Sequence, residues 1–229
     1  MLTIQRTQVA IMKQRGLSIV ELMIGIAIGL FIVAGASILV SAQLGDNRRL
    51  LLETQLHQDL RAAADIMTRE VRRAGGWDQS HNGIWMPNMI NESNLLSAIA
   101  SNSDSVNFKY QRRPGQEGPY GFKLESGVVK TLLAGSGWQE LTDSRSIRIS
   151  SLTVTPVNAP EIVLPCPSTC PGGGTACWPR VGVREFIVDM SASSLADPAI
   201  SRSLRTTVRL RNDLVRFNIA ADPHQACPL

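Results

Sequence analysis

The chain has 229 residues, of which 44% are hydrophobic and 18% are charged, so it can fill a packed core and is not a disordered protein. Its net charge of +4 comes mostly from Arg6, Lys13 and Arg15, which no acidic residue accompanies. The rest of the chain is nearly neutral, which gives no reason to expect a nucleic-acid partner.

A long apolar segment follows this basic start. Residues 22–40 are a run of nineteen residues without a charge. As an α-helix the run would be about 28 Å long, close to the ~30 Å hydrocarbon core of a bilayer. The preceding basic residues favour a cytoplasmic N-terminus. The segment is therefore predicted to cross the membrane once.

Glu21 stands at the start of the apolar segment, where an unpaired carboxylate is costly and is usually functional. If the chain is cut between Gly16 and Leu17, the new amino group of Leu17 lies one helical turn before Glu21. The amine of a neighbouring subunit would serve equally well as a partner. A simpler alternative is that Glu21 lies among the lipid headgroups.

This arrangement of basic residues, a glycine, a glutamate and a long apolar segment resembles the class III leader of type IV prepilins. The resemblance implies that a prepilin peptidase cleaves after Gly16, that Leu17 becomes N-methylated, and that Glu21 neutralises the amine of an adjacent subunit. The chain departs from the usual pattern at Leu17, where Phe is common, and at Ile38, where many major pilins carry Pro. A conventional secretory signal cleaved after Ala42 is the alternative, but its apolar region would have only about 7–15 residues.

Two glycines mark one side of the apolar segment. Gly25 and Gly29 form a small-x-x-x-small motif that lets another helix approach closely. In a chain with a prepilin-like leader, we interpret them as a packing face for other subunits.

The sequence divides into a leader (1–16), a transmembrane or filament-core helix (17–45), an amphipathic helix (46–75) and a β-rich head (76–229). Gly75 and Gly76, preceded by arginines, predict the end of the amphipathic helix. Steps of three and four produce an apolar stripe that is interpreted as core under a sheet, formed by Leu52, Leu56, Leu60, Ala63, Met67 and Val71.

The head begins with a polar connection and a short helical turn predicted at 95–100, after which the apolar period becomes two. Strands are predicted at 106–110, 120–125, 128–133, 147–154, 183–190 and 203–211, with a turn at 113–115 and an irregular loop at 155–180. The predicted fold class is therefore α+β, a pilin-like long N-terminal helix packed on an antiparallel sheet. We interpret Arg209 and Arg211 as a solvated strand face rather than a nucleic-acid site.

All four cysteines, Cys166, Cys170, Cys177 and Cys227, lie in the last third of the chain. An even number in a Pro- and Gly-rich region is typical of disulfides in an exported domain. Three pairings are possible and the spacing does not choose among them. A zinc site is disfavoured because paired C-x-x-C motifs are missing.

No catalytic or cofactor motif is recognised. His57, His81 and His224 are scattered, and the zinc-protease, nucleophile-elbow and phosphate-loop motifs do not occur. The sequence therefore predicts a protein that is not an enzyme and that binds neither a metal nor a cofactor.

The order of segments 66–76 and 208–212 behind the leader resembles minor pilins of the PilW type, and also J-type pseudopilins of type II secretion. Removal of 16 residues from 229 leaves 213, which is longer than most major pilins. The resemblance implies a minor pilin that primes assembly of a type IV pilus and lies at the filament tip. A tip pseudopilin or a membrane-anchored adhesin is the alternative.

The same resemblance implies the surroundings of the protein. Before assembly, it would be a single-pass inner-membrane protein with its head in the periplasm, and afterwards part of the pilus fibre, with links to adhesion and twitching motility. Its partners would be other minor pilins, major pilin subunits, the prepilin peptidase, the inner-membrane assembly platform and the lipid bilayer.

Overall fold

The computed structural model describes Gly16, residues 18–80 and 94–217, and Cys227. Helix α1 runs from Ile19 to Val71. The predicted α+β fold class is confirmed, since antiparallel strands follow the helix. The strands are β1 (Ile99–Ser101), β2 (Ser105–Phe108), β3 (Tyr120–Glu125), β4 (Val128–Leu133), β5 (Gly137–Glu140), β6 (Ile147–Val157), β7 (Ile162–Val163), β8 (Arg180–Gly182), β9 (Glu185–Ser194), β10 (Ser201–Arg209) and β11 (Leu214–Arg216).

The chain forms two compact units, Met1–Arg48 and Arg49–Leu229. In the described part of the first unit, α1 exposes its large apolar side chains all round, Phe31 being 80% exposed. Among the described residues, α1 is the one helix that is long and apolar enough to cross a membrane. A helix that is apolar on every side needs lipid or other helices around it.

In the second unit, the remainder of α1 contributes a stripe to the core. Leu52 is partly buried at one end of the stripe, and Leu60 and Met67 are inaccessible to solvent. The 3.6-residue period places these side chains on one face of the helix, so the predicted stripe is confirmed. The buried members are Leu56, Leu60, Ala63, Ala64, Met67 and Val71.

The first sheet has five antiparallel strands in the order β1-β2-β3-β4-β5. Strands β3 and β4 have the predicted bounds, because Ser126 and Gly127 join them with positive φ angles of 54° and 81°, as a tight hairpin requires. The prediction of a helical turn at 95–100 is wrong for its last two residues, because Ile99 pairs with Phe108 at the start of β1. Strand β5 was not predicted because all four of its residues are exposed and leave no apolar alternation.

The second sheet has the order β10-β9-β6. Strand β9 alternates half-buried and buried residues along its whole length, which is typical of a sheet with one face on a core. The strand predicted at 203–211 ends at Arg209, since Leu210 and Arg211 turn their N–H groups to the carbonyls of Arg184 and Arg72.

A third sheet, in the order β11-β8-β7, lies partly within the region that was predicted to be an irregular loop. Its strands have two or three residues, too few to show a period. Disulfides Cys166–Cys227 and Cys170–Cys177 are formed in the same region. All four cysteines are therefore paired, and the first bridge connects the loop to the C-terminal tail.

We expect the two disulfides to contribute unequally to stability. In the chain-entropy approximation, a closed loop with separation 61 stabilises by about 4 kcal/mol and one with separation 7 by about 2 kcal/mol. Replacing Cys166 and Cys227 by Ser should therefore lower the free energy of unfolding more than replacing Cys170 and Cys177. Denaturant unfolding of the full chain in detergent micelles measures both, and the reverse order would contradict the expectation.

Candidate assembly interface

The predicted processing and assembly residues lie where α1 begins. Gly16 is exposed and precedes the helix, whereas Leu17 and the leader residues 1–15 lie outside the described residues. The N–H of Leu22 donates a 3.1 Å hydrogen bond to the carbonyl of Ser18, which closes the first helical turn. The scissile bond predicted after Gly16 therefore precedes the helix.

Glu21 lies in the first turn of α1 and is exposed. The unpaired N–H groups at a helix start carry partial positive charge, which favours a carboxylate there. Within the described residues, the side chain of Glu21 forms no hydrogen bond or ion pair, so its exposed carboxylate is accessible to a cation of another chain.

Gly25 and Gly29 lie within the apolar part of α1. A Cβ atom added to either glycine would meet no atom within 4 Å. Nothing in the described part of the chain requires glycine at these positions through crowding or a positive φ angle. The open space above them is the kind of groove into which another helix packs.

At its other end, α1 is fixed in the head by hydrogen bonds from distant segments. The N–H of Arg211 donates to the carbonyl of Arg72 at 3.0 Å. The side-chain amide of Asn212 donates to Ala74 at 3.3 Å, and that of Asn94 donates to Gly75 at 2.6 Å. The two segments whose order resembles minor pilins, 66–76 and 208–212, therefore meet at this helix end.

Arg184 completes this junction. Its Nη2 atom donates a 2.8 Å hydrogen bond to the carbonyl of Asn212, and its Nη1 atom donates to the carbonyl of Ser97. Burial lowers the pKa of the guanidinium, while the charge of Asp213 opposes that shift. Gly75 has a φ angle of 76°, and a Cβ atom there would lie 2.8 Å from Nη2 of Arg184. Glycine is thus needed at position 75 for both its backbone and its size.

Tyr110 connects the first sheet to the last turns of α1. Its hydroxyl donates a 2.6 Å hydrogen bond to Glu70, whose other oxygen lies 3.3 Å from Nη1 of Arg73. The ring stacks on Tyr120 with centroids 4.1 Å apart. Burial, with a smaller contribution from the hydrogen bond to Glu70, raises the pKa of Tyr110 to about 12.

The sequence did not identify Asn94, Tyr110 or Arg184 as important. Arg184 contacts Ser97 and Asn212, which lie 87 and 28 positions away. No local pattern reports such contacts, and a glycine pair at the helix end was the one available signal. In the described part of the chain, no group of three or more His, Cys, Asp or Glu side chains is placed to hold a metal ion.

Comparison with known families agrees with the described helix and head. The prokaryotic N-terminal methylation motif matches residues 11–37, and the domain described as prepilin peptidase-dependent protein B matches residues 49–210. A prepilin-type helix joined to such a head defines a type IV pilin-like protein anchored in a membrane, and pilin-like families are structural rather than enzymatic. The chain belongs to the prepilin peptidase-dependent protein B family, whose match covers most of its length. No curated protein and no solved structure has a significant match.

The raised pKa of Tyr110 predicts a loss of stability in alkaline solution. An unfolded tyrosine ionises near pH 10, whereas Tyr110 in the folded chain ionises at about 12. The folded state therefore holds this proton more tightly, so the contribution is complete below pH 10 and is lost as the pH rises to about 12.

Replacing Tyr110 by Phe should remove this part of the pH dependence, while Tyr120→Phe should retain it. Urea unfolding of the full chain in detergent micelles between pH 9 and pH 12 measures the slope. Equal slopes for the wild type and the Tyr110→Phe variant would show that the assigned cause is wrong.

Proposed function

We propose that the protein is a minor pilin that takes part in type IV pilus biogenesis, primes assembly and lies at the filament tip. The observation that carries the proposal is an exposed Glu21 at the start of an uncovered apolar helix. Family membership supports a pilin-like assembly role. The order of segments 66–76 and 208–212 in the sequence resembles that of minor pilins of the PilW type.

Processing is the first step of the proposal. Prepilin peptidase cleaves after Gly16, and the new amino group of Leu17 is methylated. The position of Gly16 before the helix supports cleavage, because proteases act on exposed, non-helical chain. Removal of the basic leader leaves the amino group as the cation nearest to Glu21 in sequence.

Assembly then exchanges one apolar environment for another. Before assembly, the protein is a single-pass inner-membrane protein with its head in the periplasm, and the bilayer covers the apolar part of α1. In the filament, helices of major and minor pilins take the place of lipid, with the assembly platform as the site of transfer. Gly25 and Gly29 allow the close helix contacts that this exchange needs, since apolar association in lipid depends on packing.

The role of Glu21 in this exchange is electrostatic. A carboxylate within packed apolar helices is costly unless a cation neutralises it. The amine of an adjacent subunit's first residue supplies that cation when the two chains are in the correct axial register. The pair therefore stabilises one register against shifted ones.

We expect Glu21→Ala to reduce incorporation into filaments by more than about tenfold, because even 1.4 kcal/mol of lost pairing changes an equilibrium tenfold. The ratio of this protein in sheared filaments to that in membranes measures the effect. Asp46→Ala, which removes another exposed carboxylate from α1, is the matched control and should incorporate normally.

N-terminal sequencing of the Glu21→Ala variant separates processing from assembly, since cleavage after Gly16 should continue. Incorporation equal to that of the wild type, or a mature chain that begins at Gln43, would refute the proposal. Deletion of the protein should abolish piliation. Loss of protein export would instead indicate a secretion pseudopilin, and normal filaments with lost surface binding would indicate an adhesin.

A further inference from the structure

Strand β10 presents an unpaired edge on the second sheet. Strand β6, at the opposite edge, also contacts the strands of the first sheet, whereas among the described strands β10 is paired with β9 alone. The strand is nine residues long. An unpaired edge of this length can pair with another strand unless charged side chains, a proline, a bulge or a covering segment prevents it.

The hydrogen-bonding phase of β10 identifies which of its backbone groups do not face β9. The N–H of Ser194 donates to the carbonyl of Ile200, and that of Leu210 donates to Arg184. In an antiparallel pair, these bonds alternate, so the even-numbered residues of β10 face β9. The N–H and C=O groups of Ser203, Arg205, Thr207 and Arg209 consequently point away from the sheet.

Among the described residues, no second strand pairs with the stretch from 203 to 209, which is about 20 Å long at 3.3 Å per residue. The next outward N–H group, that of Arg211, already donates to the carbonyl of Arg72 at 3.0 Å. This contact lies beyond the end of β10 and limits the stretch with outward backbone groups to residues 203–209.

The side chains along the β10 edge determine which charge an added strand should carry. Arg205 and Arg209 lie four residues apart on the outer face, with side chains 69% and 64% exposed. Their ion pairs, 3.5 Å to Asp189 and 3.7 Å to Asp213, are long and exposed, so donors of each guanidinium remain open to solvent. On the inner face, Leu204 and Thr206 are half-buried.

Strand β9 shows what kind of strand complements β10. In the observed register, Asp189 lies opposite Arg205 and Glu185 lies opposite Arg209. On the other face, Phe186 lies opposite Val208. A complementary strand therefore carries carboxylates four residues apart on one face and apolar side chains on the other.

A second copy of β10 is a poor partner for the same edge. Antiparallel pairing about Thr207 would place Arg205 of each chain opposite Arg209 of the other, and like charges directly opposite each other are destabilising. The arginines thus exclude self-pairing and admit an acidic strand.

We propose that the outer edge of β10 binds a strand from the head of a different pilin-like subunit, one with carboxylates four residues apart and apolar residues between them. The inference rests on the proposed function, because it identifies the partner as another subunit of the same filament. Backbone hydrogen bonds bind the added strand to β10, and the charges of the two arginines determine which strand is bound.

The probe is a capped peptide with the sequence of residues 185–190 of this chain, and the control peptide carries Lys in place of its two acidic residues. Bound to the labelled full chain in detergent micelles, the acidic peptide should slow amide hydrogen exchange at residues 205, 207 and 209, which lie opposite residues 189, 187 and 185 in the register of β9. The lysine peptide should leave exchange at these residues unchanged.

Variants separate backbone pairing from charge. Thr207→Pro removes an outward N–H group without breaking a bond to β9 and should weaken peptide binding by about tenfold, whereas Thr207→Val should bind like the wild type. The Arg205→Glu and Arg209→Glu double variant should prefer the lysine peptide to the acidic one, a reversal that a merely structural role would not produce.

The proposal is overturned if the acidic peptide gives no protection, if both peptides bind equally, or if Thr207→Pro has no effect. Concentration-dependent protection without peptide would overturn it too, by showing that a second copy occupies the edge. Glu21→Ala should bind the peptide normally, so failure at the β10 edge is distinguishable from failure of the filament role.

Discussion

The last turn of α1 lies inside the head, and a helix end carries carbonyl groups for which the helix has no donors of its own. Val71 and Ala74 are inaccessible to solvent, so water is a poor substitute for protein donors there. The donors come from Asn94 on one side and from the 211–212 segment on the other. Segments that begin and end the head thus converge on the helix, and the head must fold around it.

The same helix has two kinds of surface, for which two different physical rules apply. In the second unit, the apolar stripe is covered by sheets, and burial of Leu60 and Met67 stabilises the fold. In the first unit, the described residues leave Ile24, Phe31 and their neighbours uncovered. Such a surface is stable only in lipid or against other helices. The carboxylate of Glu21 lies at the start of this surface, where the helix N-terminus favours it.

The sequence predicted the elements that are long and periodic or that end in a distinctive turn. The apolar stripe of α1 repeats over about five turns, and the alternation of β3 and β4 was recognised at their observed bounds, between which the structure shows the Ser126-Gly127 turn. Strand β5 has no buried residue, and β7 has two residues, so neither produces a pattern. The cysteine pairing and the contacts of Arg184 join positions far apart in the chain, which periodicity does not report. The leader motif was readable because its chemistry is local.

A filament built from several related subunits needs a way to place each of them. Subunits that share a prepilin-type apolar helix with small residues can all pack through it, so the helix alone does not distinguish one subunit from another. Discrimination must then come from the heads, where a wrong partner leaves charges or backbone groups unpaired. The β10 edge can discriminate in both ways, because the backbone groups of Ser203, Arg205, Thr207 and Arg209 point outward and the two arginines are positively charged. An acidic strand satisfies both, whereas a neutral strand pairs the backbone but leaves the arginines poorly matched. The side chains of Arg205 and Arg209 therefore both exclude an unsuitable partner strand and favour an acidic one.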